Sequence, residues 1–171
     1  MRVLGIDPGT VVVGWGVVES TGGAECMIDC GVLTASAKLS PAQRLSVLYK
    51  GLEKLVARCK PDAVAVETPF VGQNVSSALA VGRAEAVALL VAANRGIPTF
   101  EYSPAQVKQR VASYGASSKE QVQQMVRMQL GLSEVPKPAD AADALAVALC
   151  HLSEVHVSGL VGPAPRKRRT A

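Results

Sequence analysis

The run Ala63-Val64-Ala65-Val66 carries no polar residue on either of the two faces an extended chain presents alternately, and it stops at a carboxylate, Glu67. A strand with that pattern belongs inside a sheet covered by helices on both sides. The rest of the chain supplies its neighbours. Residues 3–7, 11–19 and 24–35 are β-branched or apolar runs broken at Pro8-Gly9 and Gly22-Gly23, which predicts three antiparallel strands. Ser40-Pro41 reads as an N-cap with Pro at the first helical position, opening a helix to about residue 59 whose Leu45, Leu48, Leu52, Leu55 and Val56 share a face. Beyond Glu67 the pattern predicts an Ala-rich helix over 76–94 stopped by Gly96, a fifth strand over 97–102, and helices near 104–113, 118–130 and 139–153. The expected fold is α/β, a mixed five-stranded sheet of three antiparallel strands and then parallel additions, flanked by helices.

At 171 residues and 49% hydrophobic content the chain can bury one sizeable core, so one domain is expected over residues 1–157. Segment 158–171 reads as a flexible basic tail. Arg166, Lys167, Arg168 and Arg169 lie there, which leaves 14 basic against 14 acidic residues in the body and assigns the net charge of +4 to the tail. Transient phosphate contact or plain solubility would both suit it. Residues 38–60 and 108–137 hold local basic excesses suited to facing phosphate. No export signal is read, and the uninterrupted apolar stretches fall short of the roughly 20 residues of a bilayer span, so a cytoplasmic location is expected. Cys26, Cys30, Cys59 and Cys150 show no CxxC pairing or zinc spacing and read as small buried hydrophobes in a reducing compartment.

Four carboxylates stand where the local pattern gives them no structural reason to be. Asp7 ends the first strand before Pro8-Gly9-Thr10, and Glu67 ends the fourth. Asp140 and Asp143, three apart on an otherwise apolar helix, share a face that also carries Ala144, Val147 and His151. A helix-start preference accounts for Asp140 and leaves Asp143 unexplained. Folding would gather like charges unless cations hold them, which points to a divalent-metal phosphoryl-transfer site. Hard oxygen donors suit Mg²⁺ or Mn²⁺, and two ions about 3.5–4 Å apart would activate a water, stabilise the leaving oxygen and neutralise the phosphoryl group.

The motifs GIDPGT (residues 5–10), VAVETPF (64–70), EYSPAQVKQ (101–109), KEQVQQMV (119–126) and ADAADALAVALCH (139–151) together resemble the RuvC family of Holliday junction resolvases, on the ribonuclease H-like fold. The resemblance runs in order over nearly the whole chain to about residue 156. It implies that Asp7, Glu67, Asp140 and Asp143 are the catalytic metal-binding acids. It also implies a homodimer that binds a four-way DNA junction, nicks two strands of like polarity symmetrically, and works with the RuvA and RuvB branch-migration proteins. Lys108 and Lys119 match positions that contact the phosphate backbone, and Phe70 matches a residue that wedges against unpaired bases, a stacking worth about 1–3 kcal/mol. Arg110 and Tyr114 are further candidates for DNA contact. His151 reads as structural or as support behind the acids.

The Ala-rich helix carries only Arg83 and Glu85 as charges, with Gly82 at its centre, and is the best candidate for a self-complementary dimer patch. GIDPGT also resembles the phosphate loop of actin-like ATPases and sugar kinases, but those need a duplicated fold of about twice this length or more. A non-catalytic junction-binding protein would not need all four acids. A ribosomal-RNA-processing nuclease of the same superfamily is the nearest enzymatic alternative, and the motif at 139–151 speaks against it.

Overall fold

A strand that is apolar on both faces needs a partner on each edge and a layer on each side, and strand β1 (Arg2–Asp7) obtains all four. The computed structural model describes residues 1–69, 74–112, 115 and 117–161. β1 pairs antiparallel with β2 (Val12–Thr21) and parallel with β4 (Ala63–Glu67). β3 (Ala24–Thr34) extends the sheet antiparallel beyond β2, and β5 (Thr99–Tyr102) extends it parallel beyond β4, for the order β3-β2-β1-β4-β5. The expected mixed sheet is therefore the observed one. Its register matters for function. Ile6 lies opposite Val66, so the residues that follow, Asp7 and Glu67, emerge at the same end of adjacent strands.

Side-chain alternation sorts the strands onto two cores. Leu4, Ile6, Val64 and Val66 point into one, packed against Leu48, Leu52, Leu55 and Val56 of α1 (Pro41–Cys59) and Ala84, Ala88 and Val91 of α2 (Val75–Ala93). Val3, Val18 and Ala65 point into the other, against α3 (Pro104–Ala112), α4 (Lys119–Gln129) and α5 (Ala139–Val161). Leu145 of α5 is fully buried there, which contributes roughly 1.5–3 kcal/mol. Capping boxes start α1 (Ser40 with Gln43) and α4 (Ser118 with Gln121), and Asn74 caps α2 through the Ser77 amide.

Helix α5 lies unusually close to the sheet, and two glycines make that possible. A Cβ at Gly5 would run into the Ala144 carbonyl, and one at Gly14 into the carbonyl of Asp140. The helix is longer than its sequence pattern suggests, continuing past residue 157 to Val161, with Val155 and Val157 exposed. β5 starts at Thr99 rather than 97, since Pro98 has no N–H for the ladder. The cysteines divide: Cys59 and Cys150 are buried, whereas Cys26 is exposed on the edge strand β3, which corrects the reading of all four as core hydrophobes. By length and composition alone α2 could cross a bilayer; here it covers the sheet and leaves Val75, Leu79 and Leu90 exposed.

Candidate active site

Asp7 and Glu67 owe their positions to chain punctuation. Pro8 follows Asp7 and cannot continue the ladder, and Thr68-Pro69 does the same after Glu67, with the Thr68 amide donating to the Tyr102 carbonyl to hold the strand end. Asp140 sits in the first turn of α5, pressed against β2 at Gly14, the residue paired with Asp7. Asp143 follows one turn on and turns toward α4. The four carboxylates thereby lie toward one end of the sheet, where Asp7 feels the charges of Asp143 and Asp140, and Glu67 those of Asp7 and Asp143.

Their charges are not balanced by one another. Burial, then the nearby Asp143 and Asp140, push the Asp7 carboxyl up to about 7. Burial, then Asp7 and Asp143, push Glu67 up to about 7 as well. Among the described residues Lys119 reaches into the group: its Nζ, on α4, lies 2.5 Å from Asp143 Oδ2. Its hydrogen bond to Asp143 raises the ammonium pKa against the opposing effect of burial, and Asp7 and Asp140 add to the rise. On the other oxygen, Gln123 Nε2 donates to Asp143 Oδ1 at 3.1 Å.

A cavity of about 740 Å³ opens over this end of the sheet, lined by Asp7, Glu67, Asp143, Lys108 and Lys119 among polar groups, with Val107 and Val122 in its wall. Asp140 lies beside Asp7, outside that lining. Among the described residues no three His, Cys, Asp or Glu side chains stand close enough together to hold a metal ion as they are; an ammonium lies among the carboxylates instead. Four carboxylates, only partly compensated by Lys119 and with no thiolate or imidazole among them, fit the donor chemistry of a hard divalent cation.

The other expected site residues fall in different places. Lys108 lines the cavity and draws the Glu67 carboxyl back down. Arg110, two positions on and so on another face of α3, forms an ion pair with Glu154 and lines a separate cavity of about 450 Å³ with Tyr102 and Cys150. Phe70, Tyr114 and the basic tail lie outside the described residues. His151 belongs to β5: its Nδ1 lies 2.7 Å from the Tyr102 hydroxyl and its ring centroid 4.2 Å from that of Phe100. Gln123 is the residue the sequence does not announce. A glutamine on an amphipathic helix reads as solvated, and only the i, i+4 spacing from Lys119 hints at a shared target.

The family model for crossover junction endodeoxyribonuclease RuvC matches residues 3–151. A crossover junction endodeoxyribonuclease RuvC of Chloroflexus aggregans is 55% identical over 151 residues, covering 88% of this chain and 92% of its own. A structure of Thermus thermophilus RuvC in complex with Holliday junction substrate superposes with a TM-score of 0.86 at 37% identity, covering 92% of this chain and 96% of the other. The yeast mitochondrial Holliday junction resolvase Ydc2, at a TM-score of 0.66 and 16% identity over 88% of this chain and 77% of its own, shares the fold.

Proposed function

The chain belongs to the RuvC family of crossover junction endodeoxyribonucleases, and from that membership we propose that it resolves four-way DNA junctions in recombination and repair by hydrolysing two phosphodiesters of like polarity at symmetric positions. Nucleases of this family depend on divalent metal. The observation that carries the reading is the cluster in which Asp7 is coupled to Asp140 and Asp143, and Glu67 to Asp7 and Asp143, with Lys119 drawn into it.

In this reading Asp7, Glu67, Asp140 and Asp143 hold Mg²⁺, with Mn²⁺ as a substitute, as a pair of ions. Such a pair supplies a hydroxide nucleophile and charge neutralisation at the phosphoryl oxygens. The chain's own contribution is placement. β1 and β4 fix Asp7 and Glu67 on adjacent rigid strands, and α5 brings the remaining two acids against them. Lys108 and Lys119, on the cavity wall, contact phosphates flanking the scissile bond. Phe70 would stack on unpaired bases at the crossover, with Arg110 and Tyr114 as outlying DNA contacts.

Each chain carries one such carboxylate set, so paired incision calls for a second copy about a twofold axis. The exposed side of α2, with Leu79, Ala86 and Leu90, is the surface we assign to it. Partnership with RuvA and RuvB, and action in the cytoplasm on a domain spanning 1–157, complete the proposal. The test offers labelled four-way junction, duplex DNA, structured RNA and ATP in turn, with Mg²⁺ or Mn²⁺. Paired, ligatable nicks in the junction and none in the others support it; preferential cleavage of RNA or release of phosphate from ATP would refute it.

A further inference from the structure

We infer that Gln123 is a positioning residue for Asp143, holding one carboxylate oxygen in place while the other is exchanged between Lys119 and a divalent cation. The inference rests on the metal-site reading above. Gln123 and Lys119 lie four apart on α4 and so reach the same side. Between them they take both oxygens of Asp143, the amide Nε2 on Oδ1 at 3.1 Å and the ammonium on Oδ2 at 2.5 Å. The Asp143 side chain is only 15% exposed, so water cannot readily replace either partner.

The two donors differ in what an arriving cation does to them. An ammonium competes directly with a divalent ion for the oxygen it holds, since both are positive charges seeking the same lone pairs. A neutral amide does not compete. It can keep Oδ1 throughout, and a carboxylate held by one oxygen cannot swing away when Lys119 leaves the other. The support is well anchored. Val122 and Val126, buried next to Lys119 and Gln123 on the same side of α4, and the Ser118–Gln121 capping box fix the helix that carries it. Lys119, 56% exposed, has the freedom to leave, and a phosphate in the cavity gives it a destination.

The experiment measures Mn²⁺ binding to the full chain by calorimetry, alongside thermal melting without metal. Gln123→Met, which keeps the side-chain length and removes the donor, should weaken Mn²⁺ binding by roughly 10-fold or more, the range seen when a ligand's supporting hydrogen bond is lost. The Mn²⁺ concentration for half-maximal cleavage should rise equally, with the rate at saturating metal largely kept. Lys119→Met removes the competitor and should tighten Mn²⁺ binding. Asp143→Asn serves as the reference: if it binds Mn²⁺ as well as wild type, the metal-site reading itself fails. If Asp143→Asn weakens binding while a folded Gln123→Met does not, the role of Gln123 alone is overturned. Gln123→Ala replaces it should the methionine lower the melting temperature. Weaker Mn²⁺ binding by Lys119→Met would overturn the exchange.

Discussion

The backbone carbonyl of Asp140 rests against Gly14 with no room for a side chain between them. Because Gly14 is the residue paired with Asp7 across β1 and β2, that contact sets how near a helix-borne acid comes to a strand-borne one. Gly14→Ala should push the first turn of α5 off the sheet, costing about 1–3 kcal/mol of stability, and should reduce cleavage more than it reduces folding. Thermal melting and junction cleavage below the melting temperature check it.

Protons and divalent cations compete for the same acids. Asp7 and Glu67, raised to about 7, retain protons in the folded protein between about pH 4 and 7 that the unfolded chain has released. Stability without metal should therefore fall as pH rises through that window, by roughly 2–4 kcal/mol once mutual coupling is allowed for. Mn²⁺ should remove most of the loss, whereas Asp7→Asn should remove the Asp7 part and leave the part that burial imposes on Glu67. Melting curves from pH 5 to pH 8, with and without Mn²⁺, give the answer. Cleavage at limiting metal should rise across the same range, and its midpoint should move to lower pH as metal is added.

Tyr102 and His151 form a buried pair in which the imidazole Nε2 has no partner among the described residues. Tyr102→Phe leaves Nδ1 without its partner as well and should cost about 1–3 kcal/mol, or several degrees of melting temperature. Cleavage at low temperature should survive, because this pair does not line the cavity of the acids. Burial lowers the His151 pKa, so its contribution is present above the unfolded value near 6.5 and is lost as pH falls below it.

The α2 surface separates paired from single incision. Ala86 is exposed and Leu90 is 52% exposed, whereas Leu89 packs against the core, so Ala86→Asp and Leu90→Arg are the informative substitutions. An unpaired charge buried at an interface should weaken association by orders of magnitude. A folded monomer by sedimentation should keep Mn²⁺ binding and lose coordinated nicking.

The sheet was readable from the chain because β1 and β4 are apolar on both faces, which allows few alternatives to a covered interior strand. Asp7, Glu67 and Asp143 stood out because nothing local explains a carboxylate in those places. Gly14, Gln123 and the pairing of Arg110 with Glu154 were not readable, since each depends on which helix lies across which strand. A glycine amid valines, and a glutamine marked only by its spacing from Lys119 and its place in the 119–126 motif, do not show what they touch until the packing is known. The end of α5 was lost for a different reason: residues 155–158 are exposed, so no buried apolar face marks where the helix stops.

The most direct test replaces the carboxylates one at a time, as Asp7→Asn, Glu67→Gln, Asp140→Asn and Asp143→Asn, and measures cleavage and junction affinity in parallel. If the acids hold the ions that drive hydrolysis, each variant should lose cleavage by ~100-fold or more while binding the junction as wild type does in the absence of Mg²⁺. A folded variant that cuts at the wild-type rate, or one that loses junction affinity in step with cleavage, would contradict the account.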